Sequence, residues 1–304
     1  MVVKETFADR VFNGVNIVVM CLVLLIMLYP LYFVVIASFS NPDLVNTGKV
    51  LFYPREITFD GYNMVYNYKA VWTGYRNSLF YAVTSTLYSL TITMCAAYAM
   101  SRHNLKFKNF FTAMFMFPMF FTGGLIPTYI LYTSTFGWYN TIWPLILPGA
   151  TSLMSIVICR TFINSTIHEE LFESAQIDGA SHFRIFFTIV LPLSTAIIAV
   201  QALMNVVGSW NSFFNALLYI SDSPGHDQLI PLQLVLRKIL VVAQNRAVAE
   251  EFMGSEQSDT LKYQRIVEQI KYALIIVSVI PVLLFYPFIQ KYFVKGVMIG
   301  AIKG

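Results

Sequence analysis

Charged residues are scarce in this sequence. Of its 304 residues only 12% are charged and 57% are hydrophobic, and the mean hydropathy is +0.63. A soluble domain carries about 25% charged residues, so this composition excludes an ordinary soluble protein. In lipid the backbone must satisfy its own hydrogen bonds, and the apolar runs are long rather than alternating. The sequence therefore predicts an all-α membrane protein.

Cysteine and histidine are also few, with three and four residues in the chain. The cysteines lie inside apolar runs without metal-type spacing, and we interpret them as small buried hydrophobic residues. No pair of histidines has the spacing of metal ligands, so neither a metal site nor a catalytic cluster is predicted. The residues concerned are Cys21, Cys95 and Cys159, and His103, His168, His182 and His226.

Two further absences concern energy supply. The chain has no GxxxxGK[ST] motif, so it cannot bind ATP in that manner. Its apolar runs contain almost no Asp, Glu, Lys or Arg, whereas an ion-coupled secondary transporter usually places such residues in the membrane. A membrane-embedded enzyme, the other alternative, would need paired carboxylates, a metal cluster or an activated nucleophile. The absences favour a transport subunit, itself not an enzyme, that is driven by another protein.

About twenty apolar residues are needed to cross a bilayer, and six stretches meet this requirement. The first follows Lys4 and Arg10 as a signal peptide would, but it is long enough to span, and we interpret it as an uncleaved helix. The whole chain is then one transmembrane permease domain. The predicted spans are 15–37, 78–100, 110–132, 141–159, 189–220 and 272–289.

The positions of Lys and Arg predict the orientation. The loop after the second span carries Arg102, Lys106 and Lys108, whereas the connection after the third span carries none. Lys and Arg in short loops are retained in the cytoplasm, so the first of these loops is predicted inside. With six spans both termini are then cytoplasmic. The net charge of +4 is explained by this placement, and no nucleic-acid partner is predicted.

Two long segments fall on the external side. Residues 38–77 are rich in Tyr, Asn and Gly, which predicts a partly ordered surface layer. Residues 221–271 predict a hairpin that begins with an amphipathic helix. Such a helix could lie on the bilayer or contact an external partner, and the residues alone leave both possibilities open.

The cytoplasmic loop 160–188 has the most informative local pattern. Thr166 and Glu169 fit a capping box, which predicts a helix that begins at Ile167. Gly179 can adopt the left-handed conformation that ends this helix, and Ser181 can cap the next one. The predicted structure is a short helix, a sharp turn and a second helix that runs to Pro192.

The short helix should be amphipathic. Ile167, Leu171 and Ala175 share one predicted face, with Phe172 alongside. The helix could lie in the lipid interface or dock on a soluble partner. Its polar side carries carboxylates, Glu169, Glu170 and Glu173, rather than the Lys and Arg that anionic lipids attract, which favours docking.

The same loop resembles the EAA motif of ABC importer permeases. That motif reads Glu-Ala-Ala, three residues, Gly, nine residues, Ile-x-Leu-Pro, and this chain departs from it only at Ser174. The segments WNSFFNAL and QKYFVKGVMIGAIKG extend the similarity to nearly the whole chain. They resemble the carbohydrate-type permeases that include the smaller membrane subunit of the maltose importer, and especially permeases for aldouronates or complex oligosaccharides of Gram-positive bacteria. The motif residues are Glu173, Ser174, Ala175, Gly179, Ile189, Leu191 and Pro192.

The resemblance implies the type I ABC importer permease fold, a bacterial plasma membrane location and a set of partners. These are a second homologous permease, two ATP-binding subunits that use ATP and Mg, and an external solute-binding protein contacted by the hairpin 221–271. It also implies that a tail inserts between the ATPase subunits. The implied coupling residues are Glu173, Ser174, Ala175, Asp178, Gly179, Ala180, Leu191 and Pro192, and the tail is Gly300, Ala301, Ile302, Lys303 and Gly304.

A hydroxyl-rich solute would need polar groups along its path through the membrane. The fifth span supplies Asn205, Ser209, Trp210, Asn211 and Asn215, for which path lining and helix packing both remain open. The second span supplies Thr84, Ser85, Ser89 and Thr93, for which helix packing is favoured. No cofactor bound by this chain itself is predicted.

Overall fold

The computed structural model describes residues 6–149, 152–221, 223, 225–244 and 270–284. These residues form helices and connecting loops, and no strand occurs among them. Long apolar helices are expected here because a chain in lipid can satisfy its backbone only internally. The helices are α1 (Phe7–Ser38), α2 (Pro42–Asn46), α3 (Asp60–Asn67), α4 (Lys69–Ser101), α5 (Lys108–Phe120), α6 (Leu125–Ile130), α7 (Trp143–Ile146), α8 (Leu153–Thr166), α9 (Glu169–Ile177), α10 (His182–Ile185), α11 (Leu191–Leu193), α12 (Thr195–Trp210), α13 (Phe214–Tyr219), α14 (Leu232–Gln244) and α15 (Ile270–Leu284).

The described residues divide into two compact units. The first contains 6–68, 236–244 and 270–279, and the second contains 69–149, 152–221, 223, 225–235 and 280–284. Each unit is considered by itself. The single permease domain of 304 residues stays a prediction.

In the first unit α1 is exposed along most of its length. Every residue from Phe7 to Tyr32 is exposed, and only its last turn, with Ile36 and Ala37, is buried against Val45 and Val50. An apolar helix that is left uncovered by the described residues along most of its length is suited to contact lipid or another membrane subunit. The predicted surface layer after α1 is ordered, because the backbone of Thr58 donates to Phe39 O at 3.0 Å.

The core of the second unit is built on α4, which packs against α8 and α12. The side of α4 that faces them carries small residues at intervals of four, and their burial allows close approach of the helices. Of these residues, Ala97 belongs to the apolar cluster at the end of α4, and Ser89 and Thr93 are each 1% exposed. The favoured packing role fits the burial of Ser89 and Thr93. The stripe consists of Ser85, Ser89, Thr93 and Ala97.

Several of the predicted spans are not straight helices. The 110–132 run divides into α5 and α6, whose axes are bent by 111°. The 189–220 run is broken at Ser194, where the preceding helical segment is bent by 79° against α12. The 141–159 run is divided into α7 and α8 around Gly149, which has a φ of 75°. Glycine accommodates this left-handed conformation without steric cost.

Two described helices, α1 and α4, are individually long and apolar enough to span, and four spans result if each bent pair counts once. The shorter apolar helices α8 and α15 overlap the predicted fourth and sixth spans, but α8 continues to Thr166, seven residues past the predicted end of its span. The total of six spans therefore stays a prediction. Helix α4 also begins nine residues before the predicted start of its span, at Lys69 rather than 78.

The interpretation of the cysteines needs a correction. Cys159 is buried, as predicted, but Cys21 and Cys95 are exposed. The physical reason is that α1 and the outward side of α4 have no covering partner within the described chain. These two thiols are therefore on helix surfaces rather than in a protein core.

The segment before α14 is held against the first half of α4. Side chains of α4 donate to backbone carbonyls of this segment: Asn77 to Ile230 O at 3.1 Å, and Tyr81 to Leu229 O at 2.8 Å. In return the Leu232 amide donates to Ser78 Oγ at 2.9 Å. The predicted amphipathic helix exists as α14, but it begins only after Pro231.

Gly74 makes this contact possible. A Cβ added at Gly74 would lie 3.0 Å from both the backbone nitrogen and the Cα of Leu232. Contacts this short with backbone atoms cannot be relieved by a rotamer change. Any larger residue would therefore have to push the two segments apart by a few tenths of an ångström.

We expect Gly74→Ala to destabilise the protein by about 1–3 kcal/mol because the new methyl group overpacks the contact with Leu232. Gly14→Ala is the matched control, since nothing lies within 4 Å of a Cβ at that position of α1. It should be neutral or stabilising by up to about 1 kcal/mol. Thermal unfolding of both variants in detergent measures the difference, and equal melting temperatures would contradict the assignment.

Candidate functional site

Helix α9 forms the centre of the predicted coupling loop, but it begins later than predicted. It starts at Glu169 with His168 as N-cap, not at Ile167. Thr166 cannot serve as the cap because α8 continues to that residue, and the Ile167 amide still donates to Ile163 O at 3.0 Å. Glu169 forms an ion pair with Arg102 instead of closing a capping box. The predicted capping box is therefore wrong.

The other end of α9 has the predicted glycine turn. Gly179 has a φ of 75°, its amide donates to Gln176 O at 3.0 Å, and the Ala180 amide donates to Ala175 O at 2.9 Å. These two bonds define a Schellman motif, in which a left-handed residue satisfies the last helical carbonyls. Ser181 then caps α10, as predicted, by accepting from the Arg184 amide.

One face of α9 is anchored in the apolar core of the second unit. Phe172 is 1% exposed, and Ala175 and Ala180 pack against the same cluster. Leu171, predicted on the buried face, is exposed. The later start of the helix explains this difference. Ile167 is buried, but it lies in the extended segment before α9, so its position does not predict which face of the helix is buried.

Two residues at the end of α4 hold Phe172, and the sequence analysis assigned them no such role. The Arg102 guanidinium carbon lies 3.4 Å from the centroid of the Phe172 ring. The centroid of the Tyr98 ring lies 6.3 Å from that of the Phe172 ring, and the Tyr98 hydroxyl lies 3.4 Å from Nδ1 of His182. Arg102 was interpreted only as a charge that sets orientation. The signal that was missed is that Arg102 contacts two aromatic rings, those of Tyr98 and of Phe172, which is 70 positions away in the sequence.

Arg102 also forms an ion pair with α9. Its Nη1 lies 3.4 Å from Glu169 Oε1, with the Arg102 side chain 11% exposed and the Glu169 side chain 46% exposed. Burial lowers the pKa of Arg102, and the Glu169 carboxylate opposes that shift. The guanidinium remains charged at neutral pH, because arginine is the most basic of the side chains.

The opposite face of α9 is open. Ile177 is 86% exposed, although it is a large apolar side chain at the tip of the loop. Glu173, Ser174 and Asp178 are exposed beside it. An apolar side chain surrounded by carboxylates at a rigid turn is suited to a partner with an apolar pocket and a basic rim.

Leu191 and Pro192 lie at the end of the segment that follows. Residues Phe186–Val190 form a π-helical turn, and Pro192 enters the short helix α11. Proline cannot donate the usual helical bond, which explains the irregular helix at this point. Leu191 packs against the apolar cluster and Pro192 is exposed. The predicted tail, Gly300 to Gly304, lies outside the described residues.

A polar cavity of about 350 Å³ lies elsewhere in the second unit. Three of the predicted path residues, Asn205, Ser209 and Asn215, line it, and Asn215 Nδ2 donates to Pro144 O at 3.2 Å. No charged side chain is among the described residues of its lining. The other lining residues are Ser85, Leu145, Ile146, Pro148, Gly149, Met204, Gly208 and Ser212.

The other two predicted path residues do not line this cavity. Trp210 is 2% exposed and its ring makes an edge contact with Tyr75 of α4 at 5.4 Å. Asn211 is exposed and ends α12, where its amide donates to Val207 O. The structure thus separates the five residues that the sequence analysis grouped.

Because Phe172 is the buried anchor of α9, we expect Phe172→Ala to lower the free energy of unfolding by about 3–5 kcal/mol. Phe183→Ala is the matched control in the same loop, since Phe183 is 80% exposed. It should change stability by no more than about 0.5 kcal/mol. Thermal unfolding in detergent distinguishes the two, and a stable Phe172→Ala variant would show that the ring is not an anchor.

Known proteins are similar in sequence to this chain over nearly its whole length. Protein LplC of Bacillus subtilis (strain 168) is 36% identical over 301 residues, which cover 99% of this chain and 97% of that protein. The polygalacturonan/rhamnogalacturonan transport system permease protein YtcP of the same organism is 35% identical over 280 residues, with 92% and 94% covered.

A solved structure is similar as well. The crystal structure of a bacterial ABC transporter involved in the import of the acidic polysaccharide alginate contains a chain that matches with a TM-score of 0.83 at 28% identity. The match covers 95% of this chain and 99% of that chain. It confirms the all-α fold of an ABC importer permease.

The family model for the inner membrane component of binding-protein-dependent transport systems matches residues 2–299. This match agrees with the similar proteins named above, with the polar cavity and with the left-handed turn at Gly179 after α9, called the glycine elbow below. The chain therefore belongs to the family of binding-protein-dependent transport system inner membrane components.

Proposed function

We propose that this chain is one of two transmembrane subunits of an ATP-driven importer that carries an oligosaccharide across a bacterial plasma membrane. The names of its relatives support the solute class, since they include polygalacturonan/rhamnogalacturonan and arabinooligosaccharide permeases. The other expected components are a second homologous permease, two ATP-binding subunits and an external solute-binding protein. ATP and Mg bind to the ATPase subunits, and both termini of this chain face the cytoplasm.

The observation that carries this proposal is the two-sided construction of α9. Phe172 fixes one face in the core, while Ile177 and Asp178 remain exposed at the glycine elbow. A helix held in this way can dock on a separate protein and pass that protein's movement to the membrane helices. Glu173, Ser174 and Asp178 supply the polar contacts, and Gly179 fixes the turn.

The polar cavity supports an uncharged, hydrogen-bonding path. Its amides and hydroxyls, from Asn205, Ser209, Ser212 and Asn215, can exchange hydrogen bonds with the hydroxyl groups of a sugar. Helix packing remains the alternative for Asn205, because its Nδ2 donates to Gln201 O at 2.9 Å within α12. Trp210 is assigned to packing rather than to the path.

The proposed function is tested by purification and reconstitution. The tagged chain should co-purify with a second permease and an ATPase, and uptake into proteoliposomes should require ATP and the binding protein. A protonophore should have no effect. Uptake by this chain alone, driven by a proton or sodium gradient, would overturn the proposal in favour of a secondary transporter.

We expect Gly179→Val to abolish ATP-driven uptake, because a β-branched residue cannot adopt the left-handed conformation without strain. Gly179→Asn is the matched variant, since asparagine tolerates this conformation, and it should keep a substantial part of the activity. Uptake and ATP hydrolysis by the complex are measured together. Equal uptake by the Val variant and the native complex would contradict the role of the elbow.

For the cavity, we expect Asn205→Leu to reduce solute uptake about tenfold or more, since the cavity loses hydrogen bonds that a polar solute requires. Asn211→Leu is the control, because Asn211 lies outside the cavity lining. The readout is uptake at equal amounts of assembled complex. If both variants or neither lose uptake, the assignment of the cavity to the path is wrong.

A further inference from the structure

Two physical routes lead from α9 towards the polar cavity in the second unit. The first follows the chain through Gly179, α10, the π-helical turn and α11 into α12. This route is interrupted at Ser194, where the two helical parts are bent by 79°. A displacement of α9 can be absorbed at this bend instead of being passed on to α12.

The second route is α4, which has no break over its 33 residues, a length of roughly 50 Å at 1.5 Å per residue. One end of α4 contacts α9 through Tyr98. The middle contributes Ser85 to the polar cavity, and the other end carries Asn77 and Ser78, which bind the segment before α14. An unbroken helix of this kind transmits a displacement along its axis with little loss.

The chain does not connect α9 directly to α4, so this second route depends on side chains. We call Arg102, Tyr98, Phe172 and Glu169 the Arg102 clamp. Arg102 covers the Phe172 ring at 3.4 Å and the Tyr98 ring at 5.4 Å, and it pairs with Glu169 at 3.4 Å. One guanidinium thus contacts both helices through its face and its edge.

The position of the guanidinium is itself fixed. Arg102 Nε donates to Ser101 Oγ at 3.2 Å, and the Arg102 carbonyl accepts from Lys108 Nζ at 3.1 Å. Ser101 is almost fully buried and its Oγ donates to Tyr98 O at 2.7 Å. The planar group therefore cannot swing away from α9 without breaking bonds at the end of α4.

We propose that Arg102 is a positioning residue that ties α9 to α4, so that movement imposed on α9 reaches the polar cavity through α4. This inference rests on the proposed function, because it assigns the path by which that coupling is transmitted. A planar cation is required: it stacks on Phe172 while its edge reaches Glu169, and a lysine ammonium provides only the charge.

The experiment uses the complete complex in proteoliposomes and measures solute imported per ATP hydrolysed. Arg102→Met keeps a long apolar side chain but removes the charge and the planar group. We expect the variant to assemble and hydrolyse ATP, with the solute-to-ATP ratio reduced about tenfold, within the usual range of coupling between sites. Arg102→Lys and Glu169→Gln should show smaller reductions. Arg76→Met, at an exposed arginine on α4, should keep the native ratio.

The outcomes separate this inference from the proposed function. A native complex that imports solute without ATP would refute the proposed function and with it the coupling role. ATP-driven import by the native complex together with a native ratio in Arg102→Met would refute the clamp alone. If Arg102→Met does not assemble, the two milder variants decide the question. Failure of all three to assemble would also overturn the proposal, because it would show a purely structural role.

Discussion

The arrangement of the loop around α9 depends on one buried contact, the stacking of the Phe172 ring beneath the Arg102 guanidinium. A nine-residue helix is too short to be stable on its own, so α9 needs tertiary packing to persist. The contact with Arg102 and Tyr98 provides it, and the Schellman turn at Gly179 then fixes the direction of the chain. With one face held in this way, the residues at the tip can remain exposed without loss of structure.

The same constraint explains the chemistry of the motif residues. Ala175 and Ala180 are the two positions that a Schellman motif brings together, and both pack on the apolar cluster. Their small side chains let the turn lie close to α4 and α8. Ser174, the single departure from the motif, is exposed and its hydroxyl donates to Leu171 O at 3.2 Å, so the change leaves the buried side unaltered.

The sequence predicted the features that depend on local chemistry. Neighbouring residues were enough to predict the apolar runs, the left-handed Gly179 and the Ser181 cap. The structure confirms the conformation of Gly179 and the cap at Ser181. The start of α9 was missed because α8 continues through Thr166. A capping pattern in the sequence does not show whether a residue ends one helix or begins the next. The Arg102 contact could not be predicted, since it joins residues 70 positions apart and depends on how the helices pack. The burial of Trp210 against Tyr75 could not be predicted for a related reason, because periodicity alone does not show which neighbour covers each face.

The attachment of the segment before α14 has a consequence for how such a permease can change over time. Asn77 and Tyr81 bind carbonyl oxygens of the main chain, which every amino acid possesses. The residues at positions 228–230 can therefore be replaced without loss of these bonds, whereas Gly74 is restricted by the backbone of Leu232. The support on α4 therefore recognises the main chain of this segment and not its side chains. A segment exchanged from a related permease should keep these bonds if it also places an apolar side chain at the buried position of Ile230.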